Sequence, residues 1–136
     1  TIEKKRKHIF FTSALVGPSC IDRDGITCAI RLGIKRSLRR AVIQPSRTLI
    51  LLDGGLFAPS EFKYQETIIR GDERESLIAL ASIVAKVTRD KRMKQYGNKY
   101  PDYLLEKHKG YGTKEHYKKL KKHGISEIHR TSFIHL

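Results

Sequence analysis

The chain has 136 residues, 39% of them hydrophobic, so its length suits one domain and its composition argues against intrinsic disorder. The formal net charge of +14 indicates a polyanionic partner, and nucleic acid is favoured because no long amphipathic helix suggests a membrane surface. No apolar run reaches the roughly 20 residues of a membrane-spanning helix. Cys20 and Cys28 lack the spacing of a zinc site. We therefore expect a cytoplasmic protein with two buried free thiols.

The first half of the chain predicts two helices and the beginning of a sheet. Residues 2–12 are typical of the end of a basic helix. Apolar residues at helical spacing predict a second helix over residues 25–42, with Asp24 available as its cap. The fully apolar run 48–52 predicts a strand covered on both faces, and residues 65–70 predict a second, shorter strand.

The second half of the chain predicts a long helix followed by a basic helical region. Residues 76–94 are apolar on nearly every side in their first half, which is typical of a helix buried centrally against a sheet. A glycine-containing loop follows, and Thr113 is placed to cap a last helix over residues 114–123. The alternation of strands and helices predicts an α/β fold.

Two aspartates, Asp53 and Asp72, each follow an apolar run and lie beside a glycine. In open α/β sheets, ligands bind beyond the carboxyl ends of the strands. Two carboxylates at that edge repel each other unless a cation lies between them, and Mg²⁺ prefers oxygen ligands. The pair therefore suits a metal site for phosphoryl chemistry. A turn at one aspartate and a helix cap at the other are the structural alternative.

The loop that begins at His108 has the sequence HKGYGT. Lys109 and Gly110 offer a cation and an amide, Tyr111 lies between two glycines, and Thr113 leads into a helix N-terminus. Such a loop can hold a phosphate on free amides and stack an aromatic ring on a sugar or base. An ordinary glycine loop with a tyrosine lid is the alternative.

Lysines and arginines are concentrated at the end of the long helix and along the last helix, with few acids between them. This one-sided excess favours contact with phosphates, and a solvated face is the alternative. Lys86 and Arg89 belong to the first group, and Lys86 is expected to pair with Asp90 one turn further on. His129 is expected to satisfy buried carbonyls, with contact to substrate as the alternative.

These motifs, taken in order, resemble the C-terminal part of the ribonuclease HII family, the type 2 ribonucleases H. The matching segments, from about residue 48 to residue 133, are LLDG, IIRGD, IALASIVAKVTRD, YP-x-Y, HKGYGT-x-x-H and HRTSF. The resemblance implies an N-terminally truncated ribonuclease H-like α/β fold that retains two strands of the sheet and the flanking helices. It implies a single partial domain over residues 1–136, with residues 96–136 as a helical substrate-binding extension.

The resemblance also implies an activity, a cofactor and site residues. Members hydrolyse the RNA strand of RNA–DNA hybrids and nick duplex DNA 5′ to embedded ribonucleotides, by two-metal catalysis with Mg²⁺ or Mn²⁺, and a monomer is expected here. Asp53 and Asp72 match catalytic, metal-binding aspartates, and Tyr111 matches the tyrosine that packs on the sugar at the RNA–DNA junction. The other residues expected to bind nucleic acid are Lys109, Gly110, Thr113, Lys86 and Arg89.

The sequence departs from the family pattern at its start. The family opens with a strand that carries an adjacent Asp-Glu pair followed by Gly-Arg-Gly, and this arrangement is missing from the sequence. We therefore expect the sheet to lack its first three strands, residues 48–52 to form an exposed edge, and the chain alone to be inactive and marginally folded. The alternative functions are a non-catalytic basic nucleic-acid-binding module, with both aspartates as caps, and a ribosome-associated basic protein.

Overall fold

The computed structural model describes residues 9–134, which divide into two compact units. The first unit contains residues 9–14 and 31–84, and the second contains residues 15–30 and 85–134. The helices are α1 (Pro18–Ala41), α2 (Gly71–Arg74), α3 (Ser76–Lys99), α4 (Leu105–His108) and α5 (Lys114–His123), and the strands are β1 (Ile50–Asp53) and β2 (Gln65–Ile68). Short 3-10 turns lie at Pro45–Arg47, Pro101–Tyr103 and Thr131–Phe133.

Helix α1 is interrupted at Gly25, whose φ of 81° and ψ of 164° are not helical. The predicted helix over residues 25–42 is confirmed beyond this break, and helix also forms before it. Cys28 is exposed and Cys20 is only partly buried on this helix, so the predicted burial of both thiols is wrong. Asp24 pairs with the neighbouring Arg23 guanidinium at 2.7 Å, so the structure does not bear out its predicted role as a cap. The basic helix predicted over residues 2–12 falls partly outside the described residues, and residues 9–12 are not helical.

Strands β1 and β2 form a parallel two-stranded sheet. Ile50 is opposite Gln65 at one end of the register, and Asp53 is opposite Ile68 at the other. Residues 54–64 make the crossover that parallel strands require. Both predicted strands are therefore confirmed, and the mixture of helices with a small parallel sheet agrees with the predicted α/β class.

The core of the first unit lies between the sheet, the crossover and the second half of α1. Leu52, Ala58 and Phe62 are its buried residues. The Gln65 side chain fixes the crossover, since it accepts a hydrogen bond from the Ala58 amide at 2.8 Å and donates one to the Phe62 carbonyl at 2.9 Å. The partly buried residues that pack against this core are Ile34, Leu38, Ile43, Ile50 and Leu56.

The apolar first half of α3 is largely exposed, so the prediction of a centrally buried helix is wrong for this structure. Ile78 is buried, but Leu77, Leu80 and Ile83 are 60%, 50% and 59% exposed. The strand predicted to be covered on both faces shows the same discrepancy, because Leu49 beside it is 59% exposed. The physical reason is that two short strands, within residues 9–134, offer too little surface to cover a helix that is apolar on every side.

The second unit packs around Tyr103, Leu105 and Leu120. The partly buried residues against this cluster are Tyr96, Tyr100, Tyr117, Ile128 and Ile134. Residues 96–134 all belong to this unit, and their role as a substrate-binding extension stays a prediction. Across residues 9–134, none of the helices is both long and apolar enough to cross a membrane.

Asp22 ties the beginning of α1 to the C-terminal 3-10 turn within the second unit. Its carboxylate accepts hydrogen bonds from the amide and hydroxyl of Thr131, both at 3.0 Å. It also accepts from the amide and hydroxyl of Ser132, at 3.0 and 2.6 Å. These hydrogen bonds, with the Ser132 hydroxyl first, lower the pKa of Asp22 to about 2 because they stabilise the charged form.

Candidate active site

Asp53 is the last residue of β1, and its side chain is exposed. Its Oδ1 atom accepts a hydrogen bond from the Gly71 amide at 2.8 Å. Gly71 begins α2, which starts after a two-residue connection from the end of β2. The parallel register therefore brings the Asp53 carboxylate against the residue that precedes Asp72, at the carboxyl ends of both strands.

The turn from β2 into α2 has no room for a side chain at Gly71. A Cβ atom there would lie 2.7 Å from Ile78 Cδ1 and 3.3 Å from Asp53 Oδ1. Arg70, just before it, has a φ of 56°, in the left-handed region that non-glycine residues seldom adopt. Arg70 is also ion-paired with Glu73 at 2.7 Å. Glycine at position 71 thus allows the backbone to approach the Asp53 carboxylate closely.

Asp72 lies in the first turn of α2 and is exposed. The cap position of this helix is occupied by Arg70, and no side chain provides a capping hydrogen bond. The alternative in which Asp72 serves as a helix cap is therefore wrong. Because no ion pair within residues 9–134 involves Asp72, its carboxylate is accessible to a ligand.

The two aspartates fit a divalent cation as part of its ligand set. Carboxylate oxygens are the ligands that Mg²⁺ and Mn²⁺ prefer. The described part of the chain holds no group of three or more His, Cys, Asp or Glu side chains arranged to bind a metal ion. Mg²⁺ is nevertheless often held by one or two carboxylates, with water and substrate phosphate completing the shell. The residue types at Asp53 and Asp72 would suit such a partial shell, and their joint binding of a metal ion stays a prediction.

Tyr111 is the one aromatic residue of the loop formed by residues 109–113, and 53% of its surface is accessible. The Arg89 guanidinium lies 4.6 Å from the centroid of its ring and donates a hydrogen bond to the Lys109 carbonyl at 3.1 Å. Lys109 and Gly110 have φ values of 52° and 73°, so the chain reverses there through two successive left-handed residues. The Lys109 ammonium group donates to the Glu106 carbonyl. Arg89 therefore supports both the backbone and the ring of this loop.

The loop amides are hydrogen-bonded within the protein, and the prediction of a free amide at Gly110 is wrong. The Gly110 amide donates to His108 Nδ1 at 3.2 Å, and the Tyr111 amide donates to the His108 carbonyl at 2.9 Å. The Thr113 amide donates to the Tyr111 carbonyl at 2.8 Å. Phosphate contact at this loop would therefore come from side chains, because these three amides already have acceptors.

Two further predictions around this loop have opposite outcomes. Thr113 caps α5 as predicted, since its hydroxyl accepts from the His116 amide at 3.2 Å. The predicted pairing of Lys86 with Asp90 is wrong: the ion pairs of residues 9–134 do not include it, and Asp90 Oδ1 is buried without a hydrogen-bond partner. Lys86 is exposed, so its charge is accessible to a phosphate.

Three buried histidines, His108, His116 and His129, form a cluster that sequence reasoning missed. The ring centroids of His108 and His116 are 4.5 Å apart, and those of His116 and His129 are 5.3 Å apart. Burial, and then the two neighbouring imidazoles, lower the pKa of His116 to about 4. His129 Nδ1 bonds the amide and hydroxyl of Ser126 at 3.2 and 2.9 Å instead of the expected carbonyls. One turn from His116 on α5 lies Leu120, the apolar signal that could have predicted its burial.

The outer face of α5 carries the basic surface that the sequence predicted. His116 and Leu120 point inward, and the exposed lysines are Lys114, Lys118, Lys121 and Lys122. The nearby ion pair between Lys107 and Glu115 has a separation of 3.9 Å and two exposed side chains, so it neutralises this surface only weakly. These cations are therefore accessible to a polyanion.

Known proteins resemble this chain over nearly its whole length. The family model described as Ribonuclease HII matches residues 4–136. The Ribonuclease HII of Endomicrobium trichonymphae is 44% identical, over 96% of this chain and 66% of the relative. The Ribonuclease HII of Caldicellulosiruptor bescii is 42% identical, over 95% of this chain and 61% of the relative. The Ribonuclease HII of Bacillus pumilus is 42% identical, over 88% of this chain and 45% of the relative. The chain thus spans from 45% to 66% of the length of these curated relatives.

Proposed function

Because the chain belongs to the ribonuclease HII family, we propose that it forms part of a metal-dependent endonuclease. This enzyme hydrolyses the RNA strand of RNA–DNA hybrids and nicks duplex DNA on the 5′ side of an embedded ribonucleotide. The observation that supports the proposal best is the hydrogen bond from the Gly71 amide to Asp53, which joins the carboxyl ends of the two parallel strands. An open α/β sheet binds its ligands at that edge.

In this proposal Asp53 and Asp72 hold Mg²⁺ or Mn²⁺. An ion held by these carboxylates would supply Lewis-acid chemistry, both for the activation of a water molecule and for the stabilisation of a leaving oxygen. The Gly71 amide fixes the orientation of the Asp53 carboxylate and occupies part of the acceptor capacity of one oxygen, which leaves the other oxygen for a metal. Two carboxylates hold a pair of divalent ions poorly. We therefore expect this chain alone to be inactive, and activity to require the further acidic ligands of a protein with the relatives' full length.

The second unit supplies the proposed contacts to nucleic acid. The exposed ring of Tyr111 suits packing on the sugar at an RNA–DNA junction, with Arg89 supporting it. Gly110 and Thr113 shape the loop that presents this ring. The proposed phosphate contacts, which would not read the base sequence, come from Lys86, Lys109 and the α5 lysines. Monomeric state, a role in ribonucleotide repair and a cytoplasmic location stay predictions.

The test uses a chimera in which the N-terminal part of the Endomicrobium trichonymphae relative precedes this chain. With Mn²⁺, we expect it to nick a duplex that contains one ribonucleotide and to leave the all-DNA duplex intact. Asp53→Asn should lower the rate by about 100-fold or more while duplex affinity changes little. Asp102→Asn, which removes an exposed carboxylate in the turn Pro101–Tyr103, is the matched control and should cleave normally.

Three outcomes would contradict the proposal. A folded chimera that never nicks the ribonucleotide-containing duplex would remove the basis for an endonuclease. Loss of duplex binding in Asp53→Asn, with the Asp102→Asn control unaffected, would favour a non-catalytic nucleic-acid-binding module. Tight RNA binding with no preference for a ribonucleotide junction would instead fit a ribosome-associated protein.

A further inference from the structure

The second unit contains a cavity of about 610 Å³ that is open to solvent and within the size range of small-molecule sites. Its walls come from the beginning of α1, the second half of α3, α5 and the C-terminal turn, all parts of the second unit. Leucine and isoleucine side chains form much of its surface. Among the described residues that line it there is no aspartate or glutamate. The cavity is therefore apolar in part and has no negative charge on its walls.

Three arginines line the cavity, and each has its guanidinium over an aromatic ring. The pairs, with guanidinium-to-centroid distances, are Arg89 over Tyr111 at 4.6 Å, Arg92 over Tyr96 at 5.2 Å and Arg130 over Phe133 at 4.6 Å. The carboxylates in ion pairs within residues 9–134 do not neutralise any of these three. Guanidinium groups without a carboxylate partner attract an anion, and water screens the exposed Arg92 more than the partly buried Arg89 and Arg130.

His129 gives the cavity a buried polar atom without a partner. The residue lines the cavity and is 7% exposed, and its Nε2 atom has no hydrogen-bond partner. Because Nδ1 accepts a hydrogen bond from the Ser126 amide, the proton of the neutral ring lies on Nε2, which makes Nε2 a donor. A buried donor without an acceptor destabilises the folded protein. A ligand with an acceptor oxygen or nitrogen would relieve this if the imidazole turned enough to expose Nε2, which has almost no accessible surface in this structure.

We propose that this cavity binds a single nucleotide, with the base against the aromatic and apolar walls, the phosphate on the arginines, and an acceptor at His129 Nε2. An inorganic anion would leave the apolar walls unused, and a neutral apolar ligand would leave three cations unpaired. A nucleotide satisfies both features, and the cavity is too small for a duplex. The site includes neither Asp53 nor Asp72, so its occupation requires no metal ion.

Met93 gives a direct measurement, since it lines the cavity and is the one methionine of the sequence. In the 136-residue chain with methyl-¹³C methionine, adenosine 5′-monophosphate added in EDTA should shift the Met93 methyl resonance, which a Met93→Leu variant assigns. Adenosine and inorganic phosphate should each bind at least about tenfold more weakly, because each fills half of the site. No shift at about 10 mM nucleotide, or equal affinity for phosphate alone, would overturn the proposal.

Variants of the arginines test the phosphate contact. Arg92→Gln and Arg130→Gln should each weaken nucleotide binding by about tenfold or more, as expected for a lost charge-assisted hydrogen bond. Lys91→Gln removes the same charge from the neighbouring position of α3, does not line the cavity, and should bind within about twofold of the parent. Arginine variants that bind like the lysine control would overturn the proposal. If circular dichroism shows that the arginine variants do not fold, the Met93 titration of the parent chain tests the proposal by itself.

Two further arms separate a free nucleotide from an unpaired nucleotide in a strand. The first arm compares a DNA duplex that has one unpaired 3′ nucleotide with the blunt duplex. Binding of the first duplex at least about tenfold more tightly, with displacement by the monophosphate, assigns the cavity to strand ends. Equal binding of the two duplexes, with the Met93 shift retained, assigns it to free nucleotides. Asp53→Asn should leave both results unchanged, so failure of the nuclease proposal is distinguishable from failure of this one.

Discussion

Replacing Gly71 by alanine tests the packing that places the Asp53 carboxylate. The added Cβ would lie 2.7 Å from Ile78 Cδ1 and 3.3 Å from Asp53 Oδ1. Ile78 is buried, so its Cδ1 methyl group has little space into which to move. Overpacking of this kind costs about 1–3 kcal/mol, and the better helix propensity of alanine offsets up to about 1 kcal/mol. We expect a net loss of about 1–2 kcal/mol in the free energy of unfolding.

Gly55→Ala is the matched control for this change. A Cβ at Gly55 meets nothing within 4 Å, and its φ lies outside the left-handed region. Thermal unfolding followed by far-UV circular dichroism should show a Tm about 3–8 °C lower for Gly71→Ala, with the control close to the parent. In the cleaving chimera, Gly71→Ala should also lower the rate while Gly55→Ala does not. Equal Tm values for the two variants would refute the argument that the turn is packed against Asp53.

Three other predictions concern the second unit. Asp22, with a pKa of about 2 against 3.8, contributes stability that is present above pH 3.8 and lost as the pH falls towards 2. Urea unfolding at several pH values should show a weaker dependence of stability on pH in that range for Asp22→Asn. An unchanged pH dependence would contradict the hydrogen-bonding argument. His116, with a pKa of about 4 against 6.5, is buried in its neutral form, so the protein should lose stability as the pH falls from 6.5 to 4. His116→Gln should reduce the slope of unfolding free energy against pH in that range. A slope as steep as the parent's would count against the buried neutral imidazole. Thr113→Ala should cost about 1 kcal/mol by chemical denaturation and Thr113→Ser much less, because only the hydroxyl caps α5; equal losses would contradict this.

Local features of this fold were predictable from sequence because short-range chemistry determines them. Helix α3 begins at Ser76 and Thr113 caps α5, as the residue patterns indicated. The strand ending at Asp53 was predictable from an apolar run followed by a glycine turn. The exposure of Leu77 and Ile83 was not, because the burial of a helix face depends on how much sheet lies next to it.

The candidate site likewise combines features that the sequence predicts with features that depend on tertiary contacts. The residue types at Asp53 and Asp72 indicated oxygen ligands, whereas the Gly71 contact that orients Asp53 depends on the pairing register of two strands. At the Tyr111 loop, the pattern of glycines indicated a turn but not its hydrogen bonds. The His108 ring and carbonyl take the amides that were expected to be free, and that geometry follows from the side chain's burial beside α5.

The hydrogen bonds from Thr131 and Ser132 to Asp22 join groups more than one hundred positions apart along the chain, since the sequence separations are 109 and 110 residues. Closing a loop of that length costs about 4 kcal/mol in chain entropy, which only the completed second unit offsets. Because residues 31–84 interrupt this unit, its high contact order predicts slow assembly. During synthesis on the ribosome, the first unit is able to form while the second still waits for the last residues of the described chain to emerge.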